Sequence, residues 1–179
     1  MTNGLTVPSG KEYLVNVYSD EQAKADIETI KDQVDVIIVS MHWGEEYTHV
    51  PTETQKREAE YLSSLGVNLI IGSHPHVIMP VDYVGDTLVI YSLGNFISGQ
   101  SPLGLDKIIG LMVGLDIVVS EDKVTFENID YKLLYTYCEN DIRNYKVIPF
   151  DNLTDHILPN HEGIEQEYMN IVTSEVSYD

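Results

Sequence analysis

Two short apolar runs in the first half of the chain define its most regular pattern. Asp35-Val-Ile-Ile-Val-Ser40 and Val67–Ile71 are rich in β-branched residues and are bounded by polar segments. Strands that are apolar on both sides are typical of a parallel sheet covered by helices on both faces. We therefore predict two buried parallel strands at these positions.

The segments before and between these runs have helical periodicity. Asp20 is the predicted N-cap of a first helix, and its apolar face repeats at Ile27, Ile30 and Val34. A second helix is predicted from Pro51 to Gly66, with an apolar face of Ala59, Leu62 and Leu65. Strand, helix and strand in about forty residues form a right-handed βαβ unit.

The pattern then changes to that of antiparallel strands. Val77–Val84 and Thr87–Tyr91 flank Gly85-Asp86, which predicts a two-residue hairpin. Alternating apolar residues predict a further strand pair that turns at Glu121-Asp122, and the residues concerned are Leu111, Val113, Leu115, Ile117, Val119, Val124 and Phe126. Tyr13–Val17 is predicted to be a short strand and Ile164–Val172 a helix.

Together these elements predict a single α/β domain over residues 1–179. Residues 13–100 form its α/β part, and residues 101–179 are mostly antiparallel β structure and a tail. Ten basic and twenty-nine acidic residues give a formal charge of −19. That charge argues against nucleic acid and against anionic lipid as partners, because both require clustered Lys and Arg.

Three of the six histidines fall at the ends of the two predicted parallel strands. His42 follows the first strand, and His74 and His76 follow the second. Ligand sites in open α/β sheets gather outside the carboxyl ends of parallel strands. Pro75 is expected to stiffen the segment and to hold His74 in an extended conformation.

Neutral imidazole nitrogen is a good ligand for Zn, Mn or Fe. A single histidine at a strand end is more often a polar loop residue than a ligand, but three at one edge favour a metal site. His49, His156 and His161 have no comparable context, and we predict that they are surface residues.

Three segments carry a resemblance to a known family. Asp35–Tyr47, Gly72–His76 and Tyr91–Phe96 closely resemble the capsule-synthesis or poly-γ-glutamate-synthesis proteins of the CapA type. That family is similar to the calcineurin-like metallophosphoesterases. The resemblance therefore implies a metallophosphatase-like αββα sandwich with two divalent metal ions, and it does not distinguish Mn, Fe or Zn.

The resemblance also implies roles for individual residues. His42 and His74 would bind one metal ion and His76 the other. Asn95 would orient a ligand or contact the substrate. Glu46 occupies the family's acidic position beside the site. A solvated loop carboxylate without a role in the site explains this residue equally well. The catalytic residues stay unassigned, with Glu46 and Asn95 as candidates.

The chain departs from the family at the carboxylate ligands. Family members begin with a Gly-Asp segment and an Asn-His segment, which supply the bridging carboxylate and the catalytic histidine. No Gly-Asp pair precedes Gly85-Asp86, and no Asn-His pair precedes His42. We therefore expect a sandwich that is incomplete at its N-terminal side, at most one loosely held metal ion, and little or no hydrolysis.

The intact parent protein would act as a metal-dependent hydrolase on a phosphoester or on the amide bonds of polyglutamate. A noncatalytic binding or assembly module of a capsular-polymer machine is the alternative. A third possibility is a zinc hydrolase with three histidines, a water molecule and Glu45 or Glu46 as the base. The family resemblance implies the cell envelope as the location.

An incomplete sandwich is expected to expose apolar sheet surface and an unpaired strand edge, which promote association. We expect the chain to self-associate through this face. Light scattering over a range of concentrations measures it, and a strictly monomeric profile at high concentration would contradict the expectation.

Overall fold

The computed structural model describes residues 6–100, 104–121, 123–139 and 143–178. The helices and strands follow one another in the order α1 Asp20–Ile30, β1 Ile38–His42, α2 Glu53–Ser64, β2 Leu69–Ser73, β3 Val81–Val84, β4 Thr87–Ile90, α3 Leu105–Ile108, β5 Ile109–Val119, β6 Val124–Glu139, β7 Arg143–Pro149 and α4 His161–Val172. Short 3₁₀ turns occupy Glu12–Leu14 and Phe150–Asn152.

The strands of the described residues form two sheets. The first has the strand order β1-β2-β4-β3, and the second has the order β5-β6-β7. In the first sheet β1, β2 and β4 are parallel, whereas β3 pairs with β4 in the antiparallel direction. The second sheet is antiparallel throughout. The predicted α/β fold is confirmed as a mixed sheet joined to an antiparallel one.

The first sheet carries an apolar cluster on each of its faces. One cluster joins it to α1 and α2 through Ile27, Ala59, Leu62, Ile70 and Val89. The other joins it to the second sheet and α4 through Leu69, Ile90, Ile109, Leu133, Tyr168 and Val172. Because neighbouring residues of a strand point to opposite faces, Leu69 and Ile70 belong to different clusters.

Several predictions about the strands and turns are confirmed. The hairpin between β3 and β4 turns at Gly85-Asp86, with Val84 opposite Thr87. Gly85 has a φ of 60°, which glycine adopts without steric strain. β5 and β6 form the predicted antiparallel pair. Of its predicted turn at Glu121-Asp122, Asp122 lies outside the described residues.

Other predictions are wrong in their boundaries. β1 and β2 begin at Ile38 and Leu69, later than predicted, and each continues two residues further along the chain. His42 is consequently the last residue of β1 instead of a loop residue. Strand ends depend on which backbone groups find partners, and propensity does not contain that information.

The helix boundaries are also corrected by side-chain caps. Ser19, not Asp20, is the N-cap of α1, and its side chain accepts a hydrogen bond from the backbone N–H of Gln22. α1 ends at Ile30, so Val34 lies beyond the helix. Thr52 caps α2 one residue after Pro51, and its capping box includes Gln55.

The N-terminal prediction of a strand over Tyr13–Val17 is wrong. Glu12–Leu14 form a 3₁₀ turn, and the apolar side chains of the segment are exposed. A strand needs a partner, and among the described residues β1 pairs with β2 alone. β1 is therefore an edge strand, and the prediction that both of its faces are covered is wrong, because Ile38 is 49% exposed.

Candidate functional site

The three predicted site histidines meet at one edge of the first sheet. In the parallel pairing of β1 with β2, His42 lies opposite Ser73, so His42 and His74 become neighbours. The backbone N–H of Trp43 donates to the Ser73 carbonyl at 3.0 Å, which extends the contact beyond the last paired residues. The register of the two strands thus positions the first two rings.

The imidazole rings lie close to one another. The centroids of the His42 and His74 rings are 4.6 Å apart, and those of His74 and His76 are 6.2 Å apart. His42 is exposed, whereas His74 and His76 are half-buried. The edge is therefore a small nitrogen-rich surface that is open to solvent on the His42 side.

Unusual backbone conformations are concentrated at this edge. Among the described residues, six that are not glycine have a positive φ, and three of these are asparagines, which adopt it readily. The other three are Tyr47 (φ 65°), His74 (φ 103°) and His76 (φ 62°). Such conformations cost on the order of 1–3 kcal/mol each and cluster at functional sites.

The positive φ of His74 shows that the expected extended conformation is wrong. Tertiary hydrogen bonds hold the segment on both sides and outweigh the local preference that Pro75 imposes. The Ser73 carbonyl accepts from Trp43, and the Pro75 carbonyl accepts from the backbone N–H of Tyr47 at 2.8 Å.

The side chain of Asn95 orients the ring of His76 through a hydrogen bond. Asn95 Nδ2 donates to the Lys107 carbonyl at 3.0 Å and to Gln100 Oε1 at 3.3 Å. Its Oδ1 therefore faces His76 Nδ1 at 2.9 Å, and since Oδ1 can only accept, Nδ1 carries the proton. The Nε2 atom of His76 is left as the nitrogen with a free lone pair.

His74 contains a buried polar atom without a partner. Its Nδ1 is inaccessible to solvent and makes no hydrogen bond within the described part of the chain. Burial lowers the pKa of His74 below its ordinary value, and a positive charge on His42 lowers it further, whereas Glu46 acts in the opposite direction. The neutral imidazole, which is the form that binds metals, is thereby favoured.

These residues fit a metal ion only in part. His42 and His74 are close enough to share one ion, and the unpartnered His74 Nδ1 is an atom that a cation would satisfy. Within residues 6–100, 104–121, 123–139 and 143–178, however, no group of three His, Cys, Asp or Glu side chains is arranged to hold a metal. Glu46 is exposed and does not complete the set.

Comparison with known proteins identifies the family of the chain. Residues 2–100 match the family described as "Bacterial capsule synthesis protein PGA_cap", which is more than half of the chain. The chain belongs to this family. All five candidate residues of the capsule-synthesis site lie inside the matched region, and they are His42, Glu46, His74, His76 and Asn95.

Two named relatives are similar over part of their length. The "PGA biosynthesis protein CapA" of Bacillus subtilis (strain 168) is 35% identical over 106 residues, which cover 55% of this chain and 28% of that protein. The "Capsule biosynthesis protein CapA" of Bacillus anthracis is 39% identical over 70 residues, which cover 39% of this chain and 17% of that protein. The chain thus spans less than a third of either relative.

Two glycines let the capsule-synthesis motifs pack closely. Gly72 in β2 lies against the Tyr91 carbonyl and the Trp43 indole, where an added Cβ would approach to 2.0 Å and 2.5 Å. Gly44 has a φ of 88° and would meet the buried side chain of Gln55 at 2.6 Å. The loop after His42 is therefore held between the sheet and α2.

Gln55 also matches the capsule-synthesis family, but no structural role for it was predicted from the sequence. Gln55 is fully buried, and the Thr-x-x-Gln spacing of a capping box was the available signal. His49 was predicted to be a surface residue, and the structure shows it half-buried: its Nδ1 donates to the Ile78 carbonyl at 2.7 Å, and its Nε2 lies 3.5 Å from Asp106 Oδ1. No sequence pattern pointed to that contact.

The other two histidines lie elsewhere. His156 is exposed, as predicted. His161 begins α4 and contacts Asp155 through Nδ1 at 3.0 Å, so it is tied to its own loop. In the part of the chain that the structure describes, no helix is long and apolar enough to cross a membrane.

Proposed function

We propose that this chain contributes a histidine-lined edge that binds a divalent metal ion in a capsule-synthesis protein. The pair of His42 and His74 supports the proposal, because their rings are 4.6 Å apart and His74 Nδ1 is buried without a partner. The backbone strain at His74 and His76 adds support, since a fold retains such conformations where the side-chain positions matter.

The proposed division of roles is the one that the family resemblance implies. His42 and His74 would hold one ion, and His76 would present Nε2 to a second, with Asn95 fixing its ring. When bound, such ions supply Lewis acidity and a reactive hydroxide. Glu46, which acts on the pKa of His74, would hold or accept a proton beside the site.

In the intact parent we propose metal-dependent hydrolase-type chemistry on an anionic polymer or a phosphoester at the cell envelope. Both substrates place negatively charged oxygens near the reacting bond, so the histidines alone favour neither. For this chain by itself we expect little or no turnover, because no third ligand joins His42 and His74 among the described residues.

Metal binding by the purified chain tests the proposal. Trp43 is the single tryptophan and directly follows His42, so quenching of its fluorescence by Co²⁺ reports on the site. We expect saturable quenching that His74→Ala weakens by at least about tenfold, since loss of even an outer partner costs 10–100-fold in metal affinity. The His156→Ala variant, which alters an exposed histidine, is the matched control.

Equal quenching in the His74→Ala variant and in the unsubstituted chain would contradict the metal proposal. Robust phosphodiesterase turnover that His74→Ala abolishes would instead contradict the expected inactivity of this chain. Binding of polymer without any metal binding would favour the alternative of a noncatalytic assembly module. That alternative is supported by the absence of a three-ligand group among the described residues.

A further inference from the structure

Tyr47 is held against the histidine edge by two separate contacts, one from its ring and one from its backbone. Its ring stacks on that of His76, with centroids 6.0 Å apart and an interplanar angle of 24°. Its backbone N–H donates to the Pro75 carbonyl at 2.8 Å. It keeps a positive φ although its side chain is 51% exposed. An exposed tyrosine in a strained conformation points to a role other than packing.

A directed series of hydrogen bonds runs from His76 to the Tyr47 hydroxyl. His76 Nδ1 donates to Asn95 Oδ1 at 2.9 Å, and Asn95 Nδ2 donates to Gln100 Oε1 at 3.3 Å. Gln100 Nε2 then donates to the Tyr47 hydroxyl oxygen at 3.3 Å. Each amide has its donor and acceptor ends assigned by its neighbours. The proton of the Tyr47 hydroxyl is therefore left to donate outwards.

Lys107 adds a positive charge at the same place. Its Nζ lies 5.4 Å from the centroid of the Tyr47 ring, within cation–π range. Its backbone carbonyl accepts from Asn95 Nδ2, which ties the lysine to the same hydrogen bonds. Among the described residues its ammonium group forms no ion pair with a carboxylate, although acidic residues outnumber basic ones by about three to one.

We propose that the Tyr47 hydroxyl and the Lys107 ammonium group bind an anionic group of the substrate beside His76. The ligand class is a carboxylate or phosphate oxyanion, because the oxygens of such a group accept hydrogen bonds from hydroxyl and ammonium donors alike. In a chain of charge −19, a held cation with free donors gives anions one favourable place to bind. The inference rests on the proposed function, since it names what the histidine edge would receive.

Titration of the metal-free chain by NMR at low salt tests the subsite without involving metal binding. One probe is a γ-linked glutamate oligomer and the other is phenyl phosphate, with the ring signals of Tyr47 and His76 followed. Tyr47→Phe removes only the hydroxyl, and Lys107→Gln replaces the ammonium group with a neutral amide. We expect each variant to bind about fivefold more weakly, the loss typical of one exposed charged contact.

Lys31→Gln is the matched control, because Lys31 also forms no ion pair among the described residues but caps the far end of α1. The affinity of Lys31→Gln for the probes should stay within about twofold of that of the unsubstituted chain. Tighter binding of the glutamate oligomer would identify a carboxylate polymer as the source of the anion, and tighter binding of phenyl phosphate a phosphoester.

Unchanged affinity in both Tyr47→Phe and Lys107→Gln would overturn the subsite, as would an equal loss in Lys31→Gln or binding of neither probe. Co²⁺ quenching of Trp43 in the same variants separates the two proposals. We expect it to be unchanged in Lys107→Gln, so a failed subsite with intact quenching leaves the metal proposal standing. If His74→Ala loses the Co²⁺ quenching but still binds the anionic probe, both the metal proposal and the anion subsite are supported.

Discussion

Replacing Gly72 with alanine is expected to lower the free energy of unfolding by about 3 kcal/mol, at the upper end for overpacking a core. The new Cβ would lie 2.0 Å from the Tyr91 carbonyl oxygen and 2.5 Å from the Trp43 indole nitrogen. One of these obstacles is backbone of the neighbouring segment, so no rotation of a flexible side chain relieves the clash. β2 must therefore move away from the segment that follows β4.

Thermal unfolding followed by circular dichroism measures the effect. For a chain of this size, about 3 kcal/mol corresponds to a loss of roughly 6–12 °C in Tm. Gly114→Ala is the matched control, because Gly114 also lies in a strand but an added Cβ has its nearest neighbour at 4.0 Å. A similar Tm for the Gly72 variant and the parent chain would contradict the close approach of β2 to Tyr91.

Removing the Trp43 side chain is expected to have the second large effect. Trp43 is 4% exposed, stacks on Tyr91 with ring centroids 5.8 Å apart, and donates from Nε1 to the Tyr91 carbonyl at 3.0 Å. Trp43→Ala should lower the free energy of unfolding by about 3–5 kcal/mol, as large-to-small changes of buried aromatic residues do. Trp43→Phe keeps most of the side-chain volume but leaves the Tyr91 carbonyl without its hydrogen bond. We expect this variant to lower the free energy of unfolding by about 1–3 kcal/mol.

Chemical denaturation followed by circular dichroism separates the three proteins, since fluorescence is lost with the single tryptophan. Phe96→Ala serves as the control for loss of an aromatic ring, because Phe96 is 65% exposed and its change should stay within about 0.5 kcal/mol. If Trp43→Phe were as stable as the parent chain, the indole hydrogen bond would not contribute. If Trp43→Ala were harmless, the packing of the His-Trp-Gly segment on the sheet would be wrong.

The elements that local pattern predicted correctly are those whose signals are strong and close in sequence. The βαβ unit follows from two β-branched runs around one amphipathic helix, and Gly85-Asp86 is a two-residue turn signal between two strands. The alternation from Leu111 to Val119 predicted β5 because its period of two residues matches a strand.

The errors arise where distant partners decide. Tyr13–Val17 has strand propensity but pairs with no strand among the described residues, and it forms a turn followed by irregular chain. His74 precedes Pro75 and was expected to be extended, yet hydrogen bonds from Trp43 and Tyr47 hold the segment at a positive φ. Such hydrogen bonds outweigh the local backbone preferences of a residue, which are of the order of 1 kcal/mol.

The supporting parts of the site lie far apart in sequence. Asn95 was recognised as a candidate, but its place between His76, Gln100 and Lys107 depends on how the loop after β4 meets α3. Tyr47 and Lys107 are sixty residues apart and carry no motif that links them. Only the folded chain brings the hydroxyl and the ammonium group to one place.

The sequence by itself determined the α/β class, the family and the meeting of His42 with His74 and His76, because parallel strands place their carboxyl ends at one edge. The tertiary structure decided the strained backbone of those histidines, the proton on His76 Nδ1 and the contacts of Tyr47 and Lys107. These features depend on hydrogen bonds between residues distant in the chain, and the energy of such bonds depends on a geometry that no local pattern encodes.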